Sequence, residues 1–227
     1  MKILKVLLKF ILGILLLFVF ITIVMFVRQS FIKNKINNDY SEIINNESCK
    51  EPVSIENVSF IEQDISCGYA IIEMLSNWQN KNITEQSLYE ENNQTISTAI
   101  GKGFLNEMEK QFSEWNTTRY VNLSNIEILE KMYNSLQSGM PVPIEFAALR
   151  NTDSGDVWTL HFGLVTGMDL SNDVITVQNP YGYEEKYSVD DFLCATRYDS
   201  YENMEIFFRF GFAFEMFHMN TIYIIQN

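Results

Sequence analysis

Cys67 sits in the run Gln63-Asp-Ile-Ser-Cys67-Gly68-Tyr-Ala, where a short polar segment gives way to an apolar, helix-like pattern. A thiol at the start of a helix lies at the positive end of the helix dipole, which favours the thiolate and so nucleophilic attack. Gly68 lacks a Cβ and lets a substrate or another backbone come close. Gln63 carries an amide that could donate to a developing oxyanion, together with the backbone N–H of Cys67. His161 stands in the apolar run Trp158-Thr-Leu-His161-Phe-Gly-Leu-Val-Thr-Gly167. A base for a thiol must be its neighbour in space, not in sequence. Asn179 closes the run Ile175-Thr-Val-Gln-Asn179-Pro180-Tyr-Gly182. If its strand pairs with that of His161, Asn179 can orient the imidazole through one ring nitrogen and leave the other for Cys67. Each residue alone has a plainer reading. A lone cysteine is a small buried hydrophobe, a histidine in an apolar strand is a satisfied core residue, and an Asn-Pro pair is a turn. Together they describe acyl transfer: the base takes the thiol proton, the sulfur attacks a carbonyl, and water releases the thioester.

The elements that would position these groups are legible in the periodicity. Ile71, Met74, Leu75 and Trp78 follow a buried helical stripe behind Cys67. Phe104, Leu105, Met108 and Phe112 suggest a second helix. Ser124 and Glu127 form a capping box for a third, with Ile128, Leu129, Met132 and Leu136 as its stripe and Gly139 as its stop. The period then changes. Pro141 to Phe146 reads as a strand confined by its prolines to an edge or opening position. Residues 151–156 form a turn cluster, and 157–166 and 174–177 read as paired strands. Ser188 with Asp191 caps a short helix reaching Cys194, and residues 207–214 and 221–225 read as terminal strands. A short extended segment is expected around Val58 and Phe60. Helices first and strands afterwards argue for an α+β fold.

Phe10 to Val27 is an uncharged apolar run, of a length that crosses a bilayer core as a helix. No small-residue cleavage pattern follows it, so it reads as a signal anchor. Membrane contact is therefore expected through residues 10–27. A short tail before a large domain favours a single-pass protein of the cell membrane, with its C-terminal domain outside. The organisation expected is an anchor over residues 1–34, a polar Asn- and Ser-rich linker over 35–50 and one domain over 51–227. Six of the 16 basic residues, and no acid, lie in residues 1–38, so the remainder holds ten bases against 29 acids, a balance of −19. Such a surface repels phosphate backbones, and nucleic acid is not expected as a partner. With three cysteines and two histidines in no metal-ligand spacing, neither a metal nor a cofactor is expected. Cys49 and Cys194 could pair outside the cell and leave Cys67 free. His218 is a rival base in a setting that reads as packing or surface. The phenylalanines between Phe207 and Phe217 read as core, with a substrate groove or a membrane-facing patch as alternatives.

Four pieces in order resemble the papain-fold cysteine peptidases related to the domains that cut double-glycine leaders from bacteriocin precursors. They are Gln63…Cys67-Gly68 opening a helix with Met74, Gly139-Met-Pro141-Val, His161-Phe-Gly-Leu-Val-Thr-Gly, and Val177-Gln-Asn179-Pro180-Tyr-Gly182. The resemblance spans residues 57–192. It implies a papain-like fold, with N-terminal helices packed on an antiparallel sheet, and a peptide or protein substrate. It also implies roles: Cys67 as nucleophile, His161 as base and then acid, Asn179 orienting His161, and Gln63 in the oxyanion hole. The chain departs from that family at two points. Asn179 stands where Asp is frequent, and Gln63 is closer to Cys67 than usual, so the hole can instead use backbone donors alone. The reading is a membrane-anchored cysteine peptidase. Its alternatives are a binding or immunity-type module with a degenerate site and a transglutaminase-like acyl transferase.

Overall fold

A computed structural model of the chain describes residues 2–35, 40–152 and 155–226. The first helix, α1 (Lys2–Lys35), contains a stretch, Leu4–Ser30, long and apolar enough to cross a membrane. From Leu4 to Ile21 it is exposed on all faces; beyond that, Thr22, Met25, Phe26 and Gln29 turn one face inward. Their spacing is that of a helical stripe. The segment read as a polar linker carries structure from Tyr40 onward. A short helix α2 (Ser41–Ile44) and a 3-10 turn (Glu47–Cys49) bury Ile43 and Cys49 in the core. Tyr40 and Ser171 tie this segment to the domain through Asp190 and the Lys50 carbonyl. Its few apolar residues are spaced by a turn, and it is this tertiary pairing that composition alone does not show.

After β1 (Val53–Ser54) come α3 (Cys67–Trp78), α4 (Glu85–Glu91) and α5 (Gly101–Gln111). Then follow β2 (Asn116–Tyr120), α6 (Asn125–Gln137), β3 (Val142–Thr152), β4 (Gly155–Asp169), β5 (Val174–Asn179) and β6 (Tyr183–Tyr187). The chain ends with α7 (Val189–Thr196), α8 (Ile206–Ala213) and β7 (Thr221–Gln226). All pairings in the sheet are antiparallel, in the order β2-β7-β3-β4-β5-β6, with β1 also on β4. This is the expected α+β class, with helices packed on an antiparallel sheet.

Side-chain alternation sorts the sheet into two faces. Ile144, Phe146 and Ala148 of β3 join α6 and α7 in one cluster. Phe162 and Leu164 of β4 join α3 and α5 in another. Ala147 and Leu160 face a third, aromatic cluster built by α8 and its flanks. The expected caps are present. Ser124 and Glu127 make a reciprocal box, Ser188 accepts from the Asp191 N–H, and Gly139 leaves α6 at φ +82°. On α3, Ile71, Ile72, Met74 and Leu75 are buried, each such side chain contributing about 1.5–3 kcal/mol.

β3 is a central strand, and its prolines take the opening position of the two expected: Pro141 precedes it and Pro143 is its second residue, beyond the ladder with β7, which covers only Ile144 and Glu145. Two expectations are corrected. Residues 207–213 lie in α8 and Phe214 caps it, so this segment is not a strand. Phe208 and Phe212 are one helical turn apart and pack inward, so the alternation of phenylalanines mimicked a strand period. Residues 58–60 form no strand, and the bridge comes later, at Glu62 with Tyr181. In the turn cluster at 151–156, Asn151 pairs with Asp156 and Thr152 with Gly155, while 153 and 154 lie outside the described residues. α4 and β2 were not foreseen, their sequences being polar and short of period.

Candidate active site

Cys67 is the first residue of α3, capped by the Ser66 hydroxyl, which accepts from the Tyr69 N–H. The loop before it is held from below by a residue that the sequence reading missed. The Glu85 carboxylate, itself buried, accepts three backbone N–H groups: Asp64 at 3.0 Å, Ile65 at 2.9 Å and Ser66 at 2.9 Å. Its signal in the sequence was only a helix-start pattern at Thr84. Gly68 has its use, but the neighbour that comes close is a side chain. A Cβ there would lie 2.6 Å from Thr98.

The Gln63 N–H donates to the Pro180 carbonyl at 2.7 Å, and Glu62 bridges Tyr181. The segment leading to Cys67 therefore lies along the turn that follows Asn179. The Gln63 Oε1 atom is buried without a hydrogen-bond partner. On β4, the backbone N–H of Phe162, the residue after His161, points at the Cys67 sulfur, as do those of Gly68 and Cys67 itself.

His161 is buried and its Nε2 lies 3.0 Å from Asn179 Oδ1. The Asn179 amide is fixed at both ends. Its Oδ1 also accepts from the Tyr181 N–H at 2.9 Å, and its Nδ2 donates to Glu185 at 2.9 Å. With Oδ1 defined as the acceptor, the imidazole must carry its proton on Nε2, which leaves Nδ1 with a free lone pair. Glu185 was also missed, as it belongs to the exposed strand β6. Tyr181 stacks on the imidazole with centroids 4.1 Å apart, and Phe146 meets it edge-on at 5.5 Å.

The electrostatics describe a neutral pair. Burial pushes the His161 pKa down to about 4, against the pull of Asn179. Cys67 as a residue is half-buried, yet its thiol is crowded, and burial pushes it up to about 11. The three backbone N–H groups oppose that rise and Glu85 adds to it. Among the described residues no hydrogen bond joins the thiol to the imidazole.

Two cavities flank the turn between β5 and β6. One, of about 450 Å³, is lined by Asn179, Tyr187, Trp158, Cys194, Asp199 and Asn203, among others. The other, of about 440 Å³, is lined by Gln63, Arg150, Pro180 and Tyr181. Leu149 and Tyr183 border both. His218 is elsewhere, on the β2 side of the sheet, with its Nδ1 3.3 Å from Asn122. All three cysteines are free, so Cys49 and Cys194 are not joined. The described residues contain no group of three or more His, Cys, Asp or Glu able to hold a metal ion.

The sequence profile of the Peptidase_C39 like family matches residues 55–206, two-thirds of the chain. The chain belongs to the Peptidase_C39 like family. No curated protein matches it. Membership accounts for the papain-like fold and places the chain among cysteine-peptidase relatives. The matched stretch holds Gln63, Cys67, His161 and Asn179, and leaves out α1, nearly all of α8 and β7. The Peptidase_C39 like region thus carries the whole candidate site, while the ring contact of Phe210 and the ion pair of Glu215 with α1 come from residues outside the match.

Proposed function

We infer that the chain is a membrane-anchored cysteine peptidase, cleaving peptide or related amide bonds with Cys67 as nucleophile, His161 as base and Asn179 as the residue that orients it. The observation that carries this reading is the doubly fixed Asn179 amide, which sets the tautomer of His161 so that a lone pair on Nδ1 is free to accept a proton. With both groups neutral at rest, the thiol proton moves to Nδ1 as the sulfur attacks, so His161 acts as a general base and not as half of a standing ion pair. The imidazolium then protonates the leaving amine, and water, deprotonated by His161, resolves the thioester. Gln63, through its side-chain Nε2, and the Cys67 N–H are the proposed oxyanion donors. The proposed substrate path is the pair of cavities beside Tyr183. α1 serves as the anchor, with the domain on the outer face of the cell membrane.

One observation favours a second reading, a binding module with a degenerate site. Neither Cys67 nor His161 is among the residues that line the two cavities beside Tyr183, and Tyr181 covers one face of the imidazole. A peptide epoxide separates the two. Its opening needs both the sulfur and a proton donor. The full chain should be labelled on Cys67 at neutral pH, and His161→Ala should slow labelling by about a hundredfold or more. Equal rates in both would remove the catalytic assignment. Transfer of the acyl group from the Cys67 thioester to an added primary amine, forming an amide and releasing the thiol in preference to hydrolysis, would point instead to transglutaminase-like transfer.

A further inference from the structure

α8 presents two unlike faces. Phe208 and Phe212 pack inward against Tyr201 and Phe217. Ile206 and Phe207, at 58% and 63% exposure, face away from the domain, and the turn after the helix adds Phe214 and Met216 at 36% and 45%. Large apolar side chains gathered in this way on an otherwise acidic domain mark a surface that is covered by something.

The position of α8 says what covers it. It packs against the last turns of α1. Phe26 and Phe210 meet edge-to-face with centroids 5.3 Å apart, and Arg209 lies over the same Phe26 ring at 5.8 Å. The next polar contact outward is the Arg28–Glu215 ion pair. Leu4–Ser30 is 27 residues long, or about 40 Å as a helix, against about 30 Å of bilayer hydrocarbon. The contact at Phe26 therefore falls near the boundary of the apolar layer, and the ion pair falls beyond it among the headgroups. The exposed side chains of α8 and of the turn after it therefore belong to a helix that meets α1 at Phe26, at the depth where phenylalanine and a snorkelling arginine are stable.

We propose that α8, with the turn carrying Phe214 and Met216, lies in the plane of the membrane interface and embeds Ile206 and Phe207 among the lipid chains, fixing the domain against the bilayer. This rests on α1 being the membrane anchor. Asn203, which borders the cavity beside Asn179, lies three residues before α8, so the same contact holds the substrate path at the membrane surface.

The test uses the full chain reconstituted in phosphatidylcholine vesicles. Phe207→Trp reports α8 and Phe18→Trp reports α1, each against the unaltered chain with its three tryptophans as background. The probe is lipid brominated either near the headgroup end of the acyl chains or near their ends. Phe18→Trp should be quenched by the deeper bromines. Phe207→Trp should lose at least about half of its added emission to the shallow ones. Quenching at Phe18→Trp with none above background at Phe207→Trp overturns the proposal and leaves the anchor standing. No quenching at either removes the anchor and the proposal together. Shielding of Phe207→Trp from aqueous iodide without quenching by brominated lipid would mean that a protein covers α8, which also overturns it.

Discussion

At the residue scale, the site is governed by burial. His161 is held neutral because its ring is enclosed by Phe146 and Tyr181, and Asn179 then decides which nitrogen keeps the proton. This has a consequence for stability. The folded chain resists protonation of His161 down to about pH 4, whereas an unfolded imidazole takes up its proton near 6.5. The contribution is fully present above pH 6.5 and is lost as pH falls toward 4, amounting to about 3 kcal/mol across that window. His161→Gln, which cannot titrate, should flatten this part of the curve of unfolding free energy against pH in urea titrations. An unchanged slope between pH 6.5 and 4 would mean that the imidazole is not enclosed as described. Both groups were legible in the sequence as candidates. Their protonation was not: a helix N-terminus favours the thiolate, but desolvation outweighs it here.

At the scale of elements, the centre of the sheet carries a buried charge. Glu145 of β3 is fully buried and accepts from Arg119 of β2 at 3.0 Å and from the Tyr223 hydroxyl of β7 at 2.5 Å. Burial pushes the Glu145 carboxyl up, and Arg119 pulls it back. The pair clamps β2, β7 and β3, while Tyr223 also reaches the Gly101 carbonyl at the start of α5. Arg119→Met should cost about 3–5 kcal/mol, because the carboxylate is left buried without its partner. The loss should shrink as pH is lowered and Glu145 takes up a proton, which a series of urea midpoints would show. A loss under 1 kcal/mol would mean that water reaches the site. α8 belongs to the same scale. Its phenylalanines alternate as in a strand, and only the packing of Phe208 and Phe212 on Phe217 selects the helix.

For the whole molecule, the acidic charge and the long apolar helix are separated along the chain. The basic residues at the start flank an apolar helix, and the rest carries a balance of −19. Self-repulsion of that size works against the compact state and is screened within about 10 Å at 0.1 M salt. The thermal midpoint of the reconstituted chain should therefore rise between low and moderate sodium chloride, as followed by circular dichroism. A fall would mean that the ion pairs at the surface, such as Lys110–Glu91, outweigh the net repulsion.

The sequence by itself determined the α+β class, the apolar helix, the caps at Ser124 and Ser188, and the candidates Cys67, His161 and Asn179. Each of these is written in neighbouring residues: a period, a cap spacing or a residue type at an element's end. Only the tertiary structure decided that Glu85 holds the loop before Cys67, that Glu185 fixes Asn179, that β3 is central and that α8 is a helix against α1. Each of these joins segments far apart in the chain, and their contacts follow from how the helices and the sheet close on one another. The protonation of the site belongs with them, because desolvation depends on everything packed around a group and not on the residues beside it in sequence.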